Sequence, residues 1–196
     1  GTQVTKIEQG STGNITLTAH WTANTYTVTF DAQGGTVDPA SRQVTYYDEY
    51  GTLPTPTKTG YTFKSWFTAD TGGTEVTAVT VVKTAENHYL YAQWTINTYE
   101  VTFSAGENGS LTAKVDDAAI TIGDKVEYGK KVVFKATPDT GYQVKAWTVG
   151  GAVVAGETGL TYTIDSLETA VEVTVEFEKI TYTVTFFGWD GTTIIS

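Results

Sequence analysis

The sequence predicts a mainly β fold laid out as tandem modules, and three observations predict it. The first is internal repetition. Trp21 to Phe30 reads W-T-A-N-T-Y-T-V-T-F, Trp94 to Phe103 reads W-T-I-N-T-Y-E-V-T-F, and Phe177 to Phe186 keeps the frame as F-E-K-I-T-Y-T-V-T-F. The copies lie 73 and then 83 residues apart, a domain-sized period that marks a repeat architecture. The second is composition: about one residue in five is Thr, much of it alternating with aromatic or β-branched residues, as in pleated, half-buried strands. The third is that only one stretch suggests a helical period, Val76, Val79 and Val82 within Thr74 to Thr84. Its β-branched content favours strand, so one short helix is allowed there and none elsewhere.

Taken in order, residues 1–22 read as the last part of a preceding repeat. Their closing strand, Leu17 to Trp21, sets Leu17, Ala19 and Trp21 on one face and Thr18 and His20 on the other. The same strand recurs as Leu90 to Trp94 and Val173 to Phe177. Residues 23–96 form the first complete module. Its opening strand alternates Tyr26, Val28 and Phe30 with threonines, and the counterparts are Tyr99, Val101, Phe103 and Tyr182, Val184, Phe186. Gly34-Gly35, Asn108-Gly109 and Asp190-Gly191 follow these strands and tolerate positive φ, so each opening strand is expected to fold back as a hairpin.

The middle of each unit shares T-G-Y-T-F-K-S-W (Thr59 to Trp66) and T-G-Y-Q-V-K-A-W (Thr140 to Trp147). Val44 to Gly51 corresponds to the region ending in Val126-Glu127-Tyr128-Gly129. Between these landmarks the units differ. Leu53-Pro54-Thr55-Pro56 lacks ladder donors and predicts an edge or extended connector, whereas Lys131 to Ala136 predicts a full strand. Residues 97–180 make the second, divergent module. Residues 181–196 are either the opening hairpin of a further repeat or a strand completing the second module. The first and last segments each lack a pairing partner and present an exposed edge, so the chain is expected to be a fragment of a longer protein.

Several function classes are disfavoured by composition. With no cysteine there is no disulfide, thiolate nucleophile or Cys-ligated metal. A net charge of −10 with scattered Lys and Arg argues against nucleic acid. No apolar run approaches the roughly 18 residues that cross a bilayer, and no signal peptide opens the chain. His20 shares its strand position with Gln93 and Glu176, and His88 sits in a turn-like Glu86-Asn87-His88, so both read as ordinary polar residues. Asp48-Glu49 and Asp116-Asp117 lack the alternating oxygen donors of a calcium loop and read as solvated charge. No G-x-S-x-G, P-loop or G-x-G-x-x-G is present, and the opening strands hold no Lys for an isopeptide cross-link. No catalytic, cofactor-binding or metal-binding residue is therefore assigned.

The sharper candidates are aromatic. Counting by two from Tyr61 puts Trp66 on the face opposite Tyr61 and Phe63, beside Thr62 and Lys64, and Trp147 falls likewise with Gln143 and Lys145. Such a Trp is either an exposed platform for a sugar or protein, with Tyr61, Trp66, Tyr142 and Trp147 as contacts, or a core residue turned inward by a bulge or covered by a helix. Core is favoured, because both units keep it and large aromatics are usually buried.

The set G-G-T at Gly34, T-G-Y-T-F-K-S-W at Thr59, L-Y-A-Q-W at Leu90 and G-N-I-T-L-T-A-H-W at Gly13 resembles the Listeria-Bacteroides repeat, the B-repeat of internalin-type bacterial surface proteins. Residues 97–179 resemble its divergent form, with T-G-Y-Q-V-K-A-W kept and the closing Trp replaced by Phe177. The resemblance implies small β-grasp-like (ubiquitin-like) modules with at most one short helix each, strung along a secreted or cell-wall-attached protein, without catalytic residues or cofactor. Tandem repetition and linkers of only a few residues around Thr22 to Asn24 and Thr95 to Asn97 favour an extended stalk or spacer, with weak adhesive contacts as an accessory role, carried by a monomeric chain. The alternative is a glycan- or host-protein-binding module using exposed aromatics. Partners on either reading are a host protein or surface polysaccharide, with no nucleic acid and no membrane insertion in this stretch.

Overall fold

The structure is a computed structural model and describes residues 4–187 and 193–195. Among them every regular element is a strand. In the first module, β1 (Thr25–Asp31), β2 (Ser41–Thr45), β3 (Tyr61–Phe67), β4 (Glu75–Val76) and β5 (His88–Ile96) form one sheet in the order β2-β1-β5-β3-β4. β1 and β5 run parallel at its centre, and the other pairs are antiparallel. Alternation sorts the side chains as expected: Val28, Phe30, Val44, Leu90 and Ala92 are buried on one face, with threonines opposite.

The exception to alternation is what seals the core. The β3–β5 ladder slips between Phe63 and Ser65, leaving Lys64 as an extra, exposed residue. One inserted residue reverses the facing of everything after it. Trp66 therefore joins Phe63 on the core face, with ring centroids 5.6 Å apart, and is 1% exposed. Over that face lies the Pro-containing connector, which forms no strand at 53–56, and the Trp66 indole N–H donates to Pro54 O at 2.8 Å. Trp94, the closing Trp of the module, packs against Gly35, where any Cβ would lie 2.9 Å from its ring and 2.5 Å from Thr57 O.

The second module repeats this sheet with β6 (Thr98–Ala105), β9 (Asp124–Glu127), β11 (Tyr142–Val149), β12 (Ala152–Val153) and β14 (Val171–Lys179), in the order β9-β6-β14-β11-β12. β6 and β14 are again parallel. The bulge recurs between Val144 and Ala146, and Trp147 is fully buried with its indole N–H on Gly159 O at 2.9 Å. The cover here is a second, antiparallel sheet, β13-β10-β7-β8, of β13 (Thr161–Ile164), β10 (Val132–Pro138), β7 (Gly109–Val115) and β8 (Ala118–Ile120). The first module holds only two isolated bridges at the corresponding places, Thr36 with Thr57 and Glu49 with Val81. The second sheet is thus the same cover elaborated into full ladders, β7 with β10 and β10 with β13. The strand expected at Lys131 to Ala136 is β10.

Three expectations change. Asn108-Gly109 does not return β6 as a hairpin; it redirects the chain into β7 of the covering sheet, and β9 takes the pairing with β6 instead. The β7–β8 turn is made by Asp116 and Asp117, both at positive φ (48° and 65°). Thr74 to Thr84 contains no helix: Glu75–Val76 is an edge strand, and only Val76 and Val82 of the three valines are buried, Val79 being 70% exposed. Leu17 to Trp21 forms no strand, and Leu17 and Trp21 are 60% and 91% exposed. Its counterpart β5 is held between β1 and β3, and this segment has neither neighbour to satisfy its backbone.

Strand register also narrows one correspondence: Thr25 pairs with Thr45 and Thr98 with Glu127, so Tyr46 is the counterpart of Tyr128. At the other end, Thr181 to Thr185 is not strand, and β15 (Phe186–Phe187) pairs antiparallel with β16 (Thr193–Ile195) in a separate two-stranded sheet. The turn expected at Asp190-Gly191 lies outside the described residues.

If the bulge-directed Trp seals each module, Trp66→Ala is expected to destabilise the first module by about 3–5 kcal/mol in urea unfolding. A loss below about 1 kcal/mol would contradict this packing.

Candidate functional site

The four aromatic candidates do not form a surface. Trp66 and Trp147 are core residues and offer no face to a ligand, because the bulge at Lys64 and at Lys145 turns them away from the polar side on which plain alternation placed them. Tyr61 is half-buried, with the Lys58 ammonium 4.5 Å from its ring centroid, and Tyr142 is half-buried at the same place in the second module. Burial of both indoles leaves two half-buried tyrosines, one per module.

An aromatic pair of the first module does face outward. In L-Y-A-Q-W, alternation with buried Leu90 and Ala92 points Tyr89 and Tyr91 to the outer face, where their rings stack with centroids 6.1 Å apart and Tyr89 is 56% exposed. Register makes Glu172 and Thr174 their counterparts in the second module. The outer face is therefore chemically different in the two repeats, while the inner face is kept.

The polar constellations are structural as well. His88 Nε2 lies 2.6 Å from Tyr50 Oη, and His88 Nδ1 lies 2.9 Å from Glu86 O. A carbonyl can only accept, so Nδ1 carries the proton, Nε2 accepts from the tyrosine, and the histidine ties β5 to the covering segment. Burial pushes the Tyr50 phenol up. His20 is exposed. A concavity of about 690 Å³ lies beside edge strand β2 and is lined by Arg42, Tyr47, Asp48, Glu49, Tyr50 and Val81 among others. Its one cation is already committed: Arg42 donates through both terminal nitrogens to Thr52 O and Tyr50 O, and its guanidinium stacks over Phe30. Among the described residues no three His, Asp or Glu side chains converge as a metal site.

On the outer face of the second module, Lys145 Nζ lies 2.8 Å from Glu176 Oε2. The hydrogen bond and charge of the lysine hold the Glu176 carboxyl below its ordinary range and raise the Lys145 ammonium. The bulge residue of β11 is thereby tied to β14.

Two mainly β modules, each a five-stranded mixed sheet with a sealed core and no converging reactive groups, define a tandem structural repeat. Residues 26–93 belong to the Listeria-Bacteroides repeat domain family and residues 99–181 to the divergent InlB B-repeat domain family, in that order. Both families are repeat domains of surface proteins. The chain is 34% identical over 139 residues, 68% of its length, to a protein of Evansella cellulosilytica named as a Gly-rich membrane protein, of which the match covers 14%. It is 44% identical over 84 residues to internalin H of Listeria monocytogenes, covering 43% of this chain and 15% of that protein. A second Evansella membrane protein is 34% identical over 142 residues, 69% of this chain and 19% of that protein. The chain thus spans less than a fifth of each of these relatives.

The sign of the Lys145–Glu176 contact is testable. A lowered Glu176 midpoint contributes stability above the unfolded-state carboxylate pKa and loses it as pH falls through the folded one; the raised Lys145 loses its share only at alkaline pH. In an NMR titration Glu176 should titrate below the ordinary glutamate range and move back up in Lys145→Met; an unmoved midpoint contradicts the contact.

Proposed function

We propose that this chain is part of a non-catalytic spacer of a bacterial surface protein, in which repeats follow one another end to end. The observation that carries the reading is the parallel central pair. Parallel β1 and β5 make the chain enter a module at one end and leave at the other. Val28 pairs with His88, so β1 begins three residues before that level and β5 ends eight residues after it. Val101 pairs with Val171, and β6 and β14 begin and end at the same offsets. Eleven residues of strand rise give an advance of roughly 35 Å per repeat. Only Asn97 separates β5 from β6, which leaves no slack for folding back.

The β-grasp reading of each module draws support from the same sheet: order β2-β1-β5-β3-β4, with β1 and β5 parallel and every other pair antiparallel. The segment between β2 and β3, where a β-grasp carries its helix, is a connector in one module and β10 in the other. Surface association draws support from the internalin and membrane-protein relatives. Adhesion to a host protein or polysaccharide is the second reading, and its best anchor is the stacked Tyr89–Tyr91 pair. The spacer reading is preferred because the repeats keep the sheet and lose the aromatic surface.

Small-angle scattering distinguishes the layouts. A compact chain of this length has a radius of gyration of about 16 Å. The spacer reading predicts a larger value and a maximum dimension that grows by roughly 35 Å for each added repeat. A dimension that fails to grow with repeat number overturns it.

A further inference from the structure

The seam between the modules is a docked contact. Asn97, the single residue between β5 and β6, bonds to both sides: its N–H donates to Gly60 O at 2.9 Å in the first module, and its carbonyl accepts from Tyr128 N at 2.8 Å in the second. Its side-chain Oδ1 accepts from Thr62 Oγ1 at 2.6 Å. The ring of Tyr128 lies over Gly60 so closely that a Cβ there would meet it at 2.1 Å. Gly60 also holds φ +77°, the left-handed region that disfavours side chains. Tyr128 is not among the side chains of the second core, so its ring serves the joint.

Each half of this joint occurs again in the chain. Tyr46, the counterpart of Tyr128, donates the same backbone bond to its own seam residue, Tyr46 N to Asn24 O at 2.9 Å. It stands in an aromatic cluster with Tyr26 and Tyr47. Gly141, the counterpart of Gly60, accepts from Ile180 N at 2.9 Å as Gly60 accepts from Asn97, and holds φ +86°. Among the described residues nothing lies within 4 Å of a Cβ built on Gly141.

We propose that repeats of this kind lock to one another by seating the tyrosine that follows the antiparallel partner of the opening strand (β2 in the first module, β9 in the second) on the T-G-Y glycine of the repeat before it, and that Tyr46 and Gly141 are the corresponding surfaces for further repeats. The partner is defined by its chemistry: a left-handed glycine turn without a side chain on one part, and a flat phenol ring on the other. Aromatic-on-backbone contact removes a face of the Tyr128 ring from water against Gly60, and the one-residue linker keeps the contact at high effective concentration. The inference deepens the spacer reading and rests on it for its biological sense, since a locked joint converts end-to-end order into stiffness.

Residual dipolar couplings on the whole chain test it. One alignment tensor should fit both five-stranded sheets. Tyr128→Ala and Gly60→Ala should each split it into two, whereas Tyr46→Ala and Gly141→Ala should keep one. Gly141→Ala carries the same backbone strain as Gly60→Ala without the ring contact, and Tyr128→Ala leaves the glycine untouched, so local unfolding cannot imitate the result. In a chain with residues 24–96 duplicated in tandem, the added sheet should share the tensor and lose it on Tyr46→Ala within the inserted copy. Two tensors in the unaltered chain, one tensor in Tyr128→Ala, or an independent tensor for the added sheet overturns the proposal. Two tensors with a maximum dimension that still grows per repeat would reject the lock and keep the spacer; a single tensor with a compact profile would do the reverse.

Discussion

Each module depends on a buried indole whose N–H joins its sheet to its cover. A single mixed sheet has two faces, and a five-stranded sheet of this size is stable only if one is closed from water. In both modules the closure is anchored by an indole: Trp66 to Pro54 O and Trp147 to Gly159 O. The two acceptors come from different segments, a connector before β3 in one case and a loop before β13 in the other. A buried indole N–H left without a partner would cost much of what burying the ring contributes. Satisfying it fixes where the cover sits, and the same sheet can then carry either a connector with two isolated bridges or a complete second sheet.

The bulge makes that anchor possible. Without Lys64 or Lys145 as the extra residue, the Trp would stand on the polar outer face, beside Thr62 in the first module and Gln143 in the second. The out-of-phase Trp is therefore a sign of the bulge, and the exposed Lys beside it completes the device. In the second module Lys145 goes further and bonds Glu176 across the sheet.

Several strands were legible from the sequence: β1, β5, β6 and β14 lie where period two places them, β10 lies at the run Lys131 to Ala136, and β3 and β11 lie at the shared T-G-Y motif with their facing reversed after the bulge. So was the connector at Leu53 to Pro56, because proline removes donors. Three things were hidden. The partner of a strand is a long-range fact, so Asn108-Gly109 looked like a hairpin while its strand passed to another sheet. The valine spacing in Thr74 to Thr84 matched a helical turn, but tertiary packing buried only Val76 and Val82. Leu17 to Trp21 carries a closing-strand pattern, and pattern alone does not make a strand when no neighbour pairs with it. Of the site candidates, Trp66 and Trp147 lie in the core, the alternative that the sequence favours, whereas the outward placing of Tyr89 and Tyr91 follows only from the burial of Leu90 and Ala92 between and beside them.

The W-T-x-N-T-Y-x-V-T-F segment now has a physical description. In the copy between the two modules Trp94 packs on Gly35 of the module that ends, Tyr99, Val101 and Phe103 belong to the sheet that begins, and Asn97 bonds both. All of this rests on sealed modules, and the seal is directly observable as solvent exchange of the indole N–H protons. The account predicts that in heavy water the Trp66 and Trp147 indole signals persist on the timescale of global unfolding while that of Trp21 disappears at once. Immediate exchange of Trp66 and Trp147 would contradict it.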